Sequence, residues 1–180
     1  MGPRTFVGFL RAVMIGREGL HRDVLLDIVR ASGGDDARSY LATGNVSFTC
    51  DPDAIDPLIE RLEQGIASVV DRTTPVFVRS LDHLCGLVAD DPFADAPMEN
   101  PDARLVTFVG GRVPAEFDLP IVSERGDFHV FGQADGAIFS VTQKVDGRMR
   151  DPGGLIERRV GEQVTTRAWG TITKIVDKLR

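Results

Sequence analysis

The sequence predicts an α+β protein of two subdomains, each resembling a ferredoxin-like fold with an antiparallel sheet and helices on one face. Strand and helix patterns in the first 90 residues follow the order β-α-β-β-α-β, which is the ferredoxin-like order. A Pro-rich acidic segment then interrupts the pattern, and strands followed by helices resume after it. The predicted subdomains are therefore residues 1–90 and 104–180, joined by a linker over 91–103.

The strongest element of the first subdomain is a helix that follows Asp51-Pro52-Asp53. Apolar residues recur there at helical spacing as far as Val70, and Asp and Pro are typical of a helix start. The other predicted helices are Leu20–Ala31 and Leu81–Ala89, the second with Ser80 as its N-cap. The predicted strands are Thr5–Val13, Arg38–Ala42, Val46–Cys50 and Pro75–Arg79, with a hairpin at Thr43-Gly44-Asn45.

In the second subdomain, strands alternate with turns before two helices end the chain. The predicted strands are Arg104–Val109, Asp127–Gly132 and Ala137–Gln143, with one helical turn over Val113–Phe117 and a helix over Asp151–Val160. The last predicted helix is Thr165–Leu179, with Thr165 or Thr166 as its N-cap. Trp169, Ile172, Ile175, Val176 and Leu179 fall on one side of it, and Arg167, Thr171, Lys174 and Lys178 fall on the other.

Composition places the chain among ordinary soluble globular proteins. Of its 180 residues, 42% are hydrophobic and 27% are charged. The apolar run Phe6–Ile15 is interrupted by Arg11 and is too short to cross a bilayer. Cys50 and Cys85 are isolated, which is typical of buried thiols in a reducing compartment. We therefore expect a cytoplasmic protein that does not bind a membrane.

The charge is unevenly spread along the chain. The net charge of −6 makes nucleic-acid binding unlikely, since such binding needs a basic surface. From Lys144 to the end, however, there are 9 Lys and Arg residues against 5 Asp and Glu residues. The rest of the chain is acidic, so this basic C-terminal stretch could attract an anion to itself. Alternatively, its basic residues simply lie on the surfaces of two helices.

No motif for catalysis, metal binding or a cofactor is present. His21, His83 and His129 are far apart, and none has a Cys or carboxylate at ligand spacing. The sequence contains no P-loop, no GxGxxG and no GxSxG. We therefore predict no catalytic residue, no metal and no cofactor, and we leave open whether the protein is an enzyme.

Two polar stretches are candidates for a binding site. Arg11 ends an apolar strand beside a Gly-containing loop, where a guanidinium needs either a structural carboxylate or a bound anion. Arg167 lies near a helix start, so it opposes the helix dipole and also needs a partner. That partner is either an acidic side chain of the first subdomain or an anion, which helix N-termini also favour. The candidate ligand-binding residues are Arg11, Thr165, Thr166, Arg167 and Lys174.

Several stretches resemble the domain-of-unknown-function 1697 family: the run from Phe6 to Gly33, the SYLATGNVSF hairpin, the VRS strand, DPF, and TTRAWGTITKI. The resemblance extends from Phe6 to Leu179 and implies two α+β subdomains related to the ferredoxin-like fold. It implies no activity. The family pattern has RGINVGG after the first strand and TTRNWNT near the end. Here, AVMIGRE follows Arg11, and Ala168 and Gly170 replace two Asn.

Three functions remain open at this stage. The first is a binding module for a small anionic ligand, phosphorylated or nucleotide-like, held where the loop of Arg11 meets Thr165–Arg167. The second is a protein-interaction or assembly module, in which the TTRAW segment only locks the subdomains. The third is an enzyme that acts on a phosphorylated substrate. The sequence leaves the oligomeric state and the partner proteins undetermined.

Overall fold

In the part of the chain that the structure describes, nine strands form two antiparallel sheets, of four and five strands, and five α-helices accompany them. The structure is a computed structural model and describes residues 2–111, 113–114 and 117–180. Its mixed α+β architecture confirms the predicted fold class. The chain divides into two units, Met1–His83 and Leu84–Arg180, and each is described by itself below.

The element bounds place one sheet in each unit. The strands are β1 (Arg4–Leu10), β2 (Asp35–Tyr40), β3 (Asn45–Cys50), β4 (Val76–Ser80), β5 (Ala103–Val109), β6 (Ile121–Val122), β7 (Phe128–Ala134), β8 (Ala137–Thr142) and β9 (Val164–Ala168). The helices are α1 (Arg22–Ala31), α2 (Ile55–Val70), α3 (Leu81–Ala89), α4 (Gly153–Val160) and α5 (Trp169–Leu179), and a 3-10 turn at Pro52–Ala54 precedes α2.

The first unit has the ferredoxin-like strand order β2-β3-β1-β4, with every neighbouring pair antiparallel. The core lies on the sheet face that α1 and α2 cover. There, Leu25 of α1 and Leu62 of α2 are buried with Phe48 of β3. The apolar stripe read from the sequence of α2 is therefore the surface that holds this helix on the sheet.

Of the predicted helix starts of the first unit, the Ser80 cap of α3 is confirmed. Asp51 caps the 3-10 turn that precedes α2, and α1 starts at Arg22, two residues after the predicted Leu20. The Asp51 carboxylate accepts a hydrogen bond from the backbone N–H of Asp53 at 3.1 Å. The Ser80 hydroxyl accepts one from the backbone N–H of His83, also at 3.1 Å, so it caps α3. Both side chains satisfy first-turn donors that would otherwise lack an intrahelical partner.

The second unit repeats the order of the first, with one strand added at the edge. Its sheet runs β6-β7-β8-β5-β9, and the described residues between β5 and β7 contain the short strand β6 and no helix. Ile156 of α4 packs with Val109, Val130 and Ile138 on one face of this sheet. The helical turn predicted over Val113–Phe117 falls partly on residues outside the described ones.

The predicted helix over Thr165–Leu179 is wrong at its beginning. Val164–Ala168 is strand β9, which pairs antiparallel with β5, and α5 starts only at Trp169. Three β-branched residues open this segment, and pairing with β5 satisfies their backbone groups. Neither Thr165 nor Thr166 is an N-cap, because Ala168 occupies that position without a side-chain hydrogen bond. Burial of Trp169, Ile172, Ile175 and Val176 confirms the predicted apolar side.

The division between the units falls inside α3, between His83 and Leu84. Residues 91–103, for which a linker was predicted, belong to the second unit. Among the described residues, no helix combines the length and the apolar composition that crossing a membrane requires.

Ala12 offers a direct test of backbone strain next to β1. Its φ of 53° lies in the left-handed region, where an Ala side chain is disfavoured. We expect Ala12→Gly to raise the free energy of unfolding by about 0.5–1 kcal/mol, measured by urea denaturation. The control Ala67→Gly, inside α2, should lower it by about 1 kcal/mol. A less stable Ala12 variant would contradict the described backbone.

Candidate functional site

The polar stretch near the end of the chain lies on strand β9, whose side chains alternate between the two faces of the second sheet. Val164 faces the core that contains Ile156 of α4. Thr165 and Arg167 consequently point to the opposite face, where Arg167 lies beside Val106 and Thr165 beside Phe108 of β5. Of the predicted site residues, these two are therefore brought together on one face.

The guanidinium of Arg167 is almost completely enclosed, with 9% of the residue exposed. Its Nη1 donates hydrogen bonds to the Thr165 hydroxyl at 2.8 Å and to the Thr166 carbonyl at 2.9 Å. Both of these acceptors are neutral oxygens. Burial lowers the pKa of Arg167 to about 10, so the side chain remains positively charged at neutral pH.

An aromatic cluster covers part of the same sheet face and fixes the start of α5. The Phe93 ring lies 5.2 Å from Trp169 and 5.7 Å from both Phe131 and Phe139, measured between centroids. Phe139 is paired with Val106, which is also the partner of Arg167 on β5. Phe93 comes from the segment predicted as a linker, so that segment contributes a buried anchor to the second unit.

The other predicted site residues are placed differently. The Thr166 hydroxyl faces the α4 side of the sheet and lies 2.9 Å from the Thr107 hydroxyl. Lys174 is exposed on α5. Arg11 lies in the first unit, directly after β1, where it is partly buried and its backbone N–H bonds to the Pro75 carbonyl.

Sequence reasoning missed a second arginine that the fold partly buries, Arg79 of β4. Its Nη1 donates to the Val78 carbonyl at 2.8 Å, and burial lowers its pKa. Arg79 pairs with Val7, the fourth residue of β1, just as Arg167 pairs with Val106, the fourth residue of β5. In both units, the arginine is the fourth residue of a five-residue strand that runs directly into a helix.

A glutamate completes the correspondence between the two units. The Glu63 carboxylate of α2 accepts a hydrogen bond from the first N–H of β4, at Val76. The Glu157 carboxylate of α4 accepts one from the first N–H of β9, at Val164. Comparison of the sequences VFVRS and VTTRA, each followed at once by a helix, could have revealed both the strand β9 and the second arginine.

The loop that follows Arg11 is held by an ion pair within the first unit. Arg72 donates to both carboxylate oxygens of Glu18, at 2.7 and 2.9 Å, and to the Ala12 carbonyl at 2.9 Å. The Glu18 side chain hydrogen-bonded to Arg72 therefore has a pKa below the ordinary value. Main-chain hydrogen bonds at Leu10 and Ile15 also join this loop to the β2–β3 hairpin.

An open pocket of about 600 Å³ lies at the β7–β8 turn of the second unit. It is lined by Gly111, Val113, Gln133, Ala134, Asp135 and Gly136. Asp135 is the charged residue in this lining, which does not favour an anion. In the described part of the chain, no three His, Cys, Asp or Glu residues are grouped in a way that could hold a metal ion.

The two sheets and their repeated junctions define an α+β protein built from two units of one strand order. The chain matches the family model described as Protein of unknown function (DUF1697) over residues 4–138, and it belongs to that family. The matched residues end before β9. A search of curated proteins finds no match.

The chain is also similar to the solved structure of a conserved bacterial protein from Streptococcus pneumoniae. The two share 16% sequence identity with a TM-score of 0.67, over 99% of this chain and 100% of the other. A likeness at this identity shows the fold alone.

The Glu18–Arg72 pair predicts a specific acid titration. The pKa of Glu18 is lowered in the folded protein, so its ion pair is fully formed above the ordinary glutamate pKa and is lost as pH falls through the lowered value. NMR titration of the side-chain carboxyl should show Glu18 protonating below free glutamate, with Arg72→Ala restoring the ordinary value. An unchanged titration in the variant would contradict the pair.

Phe93 should anchor the second unit despite its place in a Pro-rich segment. We expect Phe93→Ala to lower the free energy of unfolding by about 3–5 kcal/mol, because it opens a cavity among three aromatic rings. Urea denaturation can be followed by the fluorescence of the single Trp, which is in contact with Phe93. Met149→Ala, at an exposed site, should change stability by less than about 0.5 kcal/mol.

Proposed function

We propose that this protein is a binding module for a small anionic ligand, phosphorylated or nucleotide-like, and that Arg167 is its main charged contact. The observation that carries the proposal is a guanidinium enclosed on a sheet face, positive at neutral pH and beside a Thr hydroxyl. A guanidinium in such surroundings attracts an anion more strongly than one in water, and its fork geometry matches phosphate oxygens.

The start of α5 is a second observation in favour of a bound anion, because it differs from the equivalent strand–helix junction of the first unit, between β4 and α3. There, the Ser80 hydroxyl caps α3 and Asp82 adds a carboxylate to its first turn. At α5, Ala168 provides no side-chain cap and the first turn contains no acidic residue. The junction after β9 therefore keeps the positive end of its helix dipole next to Arg167.

The remaining predicted residues have secondary roles in this proposal. Lys174 is exposed on α5, where its ammonium group can attract an anion before binding. Thr166 supports the strand through its contact with Thr107 on the other face. Arg11 stays a predicted ligand contact of the first unit, directly after β1.

The other parts of the proposal concern chemistry and location. The two acceptors of Arg167 named above are a Thr hydroxyl and a carbonyl, and neither is a general base, so we propose binding rather than catalysis on a phosphorylated substrate. Cys50 and Cys85 are free thiols, which supports a reducing, cytoplasmic location. The net charge of −6 makes nucleic acid an unlikely ligand.

A protein-interaction or assembly module is the second candidate, and one observation favours it. Arg79 occupies the same strand position as Arg167 and is also desolvated. A feature present in both units can serve the fold alone. In that case, both arginines would stabilise the protein, and neither would contact a small molecule.

Isothermal titration with inorganic phosphate, pyrophosphate, ADP and glucose 6-phosphate tests the proposal. We expect measurable binding of at least one of them. Arg167→Gln should weaken that binding about tenfold or more, because a charge-assisted hydrogen bond is lost. The matched control Arg79→Gln removes the equivalent arginine of the first unit and should leave the affinity unchanged.

Thermal unfolding separates the two candidates. If Arg167→Gln and Arg79→Gln both lower the melting temperature and none of the four anions binds the wild-type protein, the interaction module is favoured. If an anion binds with equal affinity to the wild type and to Arg167→Gln, the assignment of the site to Arg167 is wrong. Light scattering on the wild type reports whether an oligomer accompanies either result.

A further inference from the structure

Two exposed apolar side chains lie on neighbouring loops at one end of the first sheet. Met14 is 43% exposed in the loop after β1, and Leu41 is 59% exposed in the β2–β3 hairpin. The two loops are joined by a hydrogen bond of 2.8 Å from the Ile15 N–H to the Ala42 carbonyl. We refer to Met14, Arg17 and Leu41 as the loop-end patch.

The backbone at Leu41 makes this exposure unusual. Its φ of 59° lies in the left-handed region, which Gly and Asn adopt far more readily than a leucine. A leucine there is strained and also leaves most of its side chain in water. Neither folding nor solubility benefits from it, and such residues concentrate at functional sites.

The charge around the patch is positive. The backbone N–H of Arg17 bonds to the Met14 carbonyl at 3.1 Å, so one turn presents both residues. The adjacent Glu18 is neutralised by its ion pair with Arg72. Arg17 therefore leaves a basic group exposed next to an apolar surface.

We infer that the loop-end patch docks a short acidic segment of a partner protein, which packs an apolar side chain against Leu41 and Met14 and places carboxylates next to Arg17. The positive charge of Arg17 is complementary to such a segment, and charge complementarity beside an apolar anchor favours one class of partner over others. A second copy of the chain fits less well, because a stable dimer buries roughly 800 Å² per partner, far more than two side chains supply.

Selection of displayed random 12-residue peptides on the purified 180-residue chain tests the inference. We expect the selected peptides to combine Asp or Glu with a large apolar residue. Their binding should weaken about tenfold or more in Leu41→Asn, and it should also weaken in Arg17→Glu and at high salt. The control Val122→Asn changes an equally exposed apolar residue of the second unit and should bind as the wild type does.

Leu41→Asn also distinguishes docking from a structural role. Asn tolerates the left-handed backbone, so the variant should unfold at the same or a higher temperature while losing the peptide. A lower melting temperature together with unchanged peptide binding would overturn the inference. It would equally be overturned by a selection that yields no acidic apolar peptides, or by a wild-type dimer that Leu41→Asn dissociates. None of these results depends on anion binding at Arg167.

Discussion

The register between the first and last strands of each unit is the constraint on which the rest of the structure depends. It sets Val7 opposite Arg79 in one sheet and Val106 opposite Arg167 in the other. Because each last strand runs into its helix without a loop, this register also fixes where α3 and α5 begin. A shift of one residue would turn each arginine toward the core face and move an apolar residue out of that core.

The helices were largely predictable because their stability depends on a periodic apolar face that the sequence displays. α3 has the predicted bounds Leu81–Ala89, and Asp51 and Ser80 accept the predicted capping bonds. β9 was not predictable in the same way, since its five residues are too few to show a period. Two threonines suit an N-cap and a strand equally well. Nothing within these five residues decides between them. The pairing with β5 does, and so does comparison with the VFVRS strand of the first unit.

The sequence singled out Arg167 and Thr165 as candidates, but it did not predict their geometry. The sequence predicted Arg167 near the start of a helix, where its charge would oppose the helix dipole. In the structure, Arg167 is a buried strand residue that donates hydrogen bonds to the Thr165 hydroxyl and the Thr166 carbonyl. Arg79 was missed because a polar residue alternating with valines in a strand normally faces solvent. Burial of the second face of a sheet is a tertiary property that no local pattern contains.

Because the two units share a strand order, comparing their strand–helix junctions separates residues that stabilise the fold from residues that are candidates for binding a ligand. Both units share the glutamate that binds the first N–H of the strand, and the strand–helix junction that it builds sufficiently explains it. Both also have the arginine, but Arg167 is buried whereas Arg79 is half-buried. Features found in only one unit need an explanation other than the junction that both units share. Around Arg167, these are the Thr165 hydroxyl, where β4 has the apolar Phe77, and a helix start without the Ser80 cap or the Asp82 carboxylate of α3. Each difference makes the second junction more favourable for an anion, so these departures add to the enclosed guanidinium of Arg167 in the argument for a ligand.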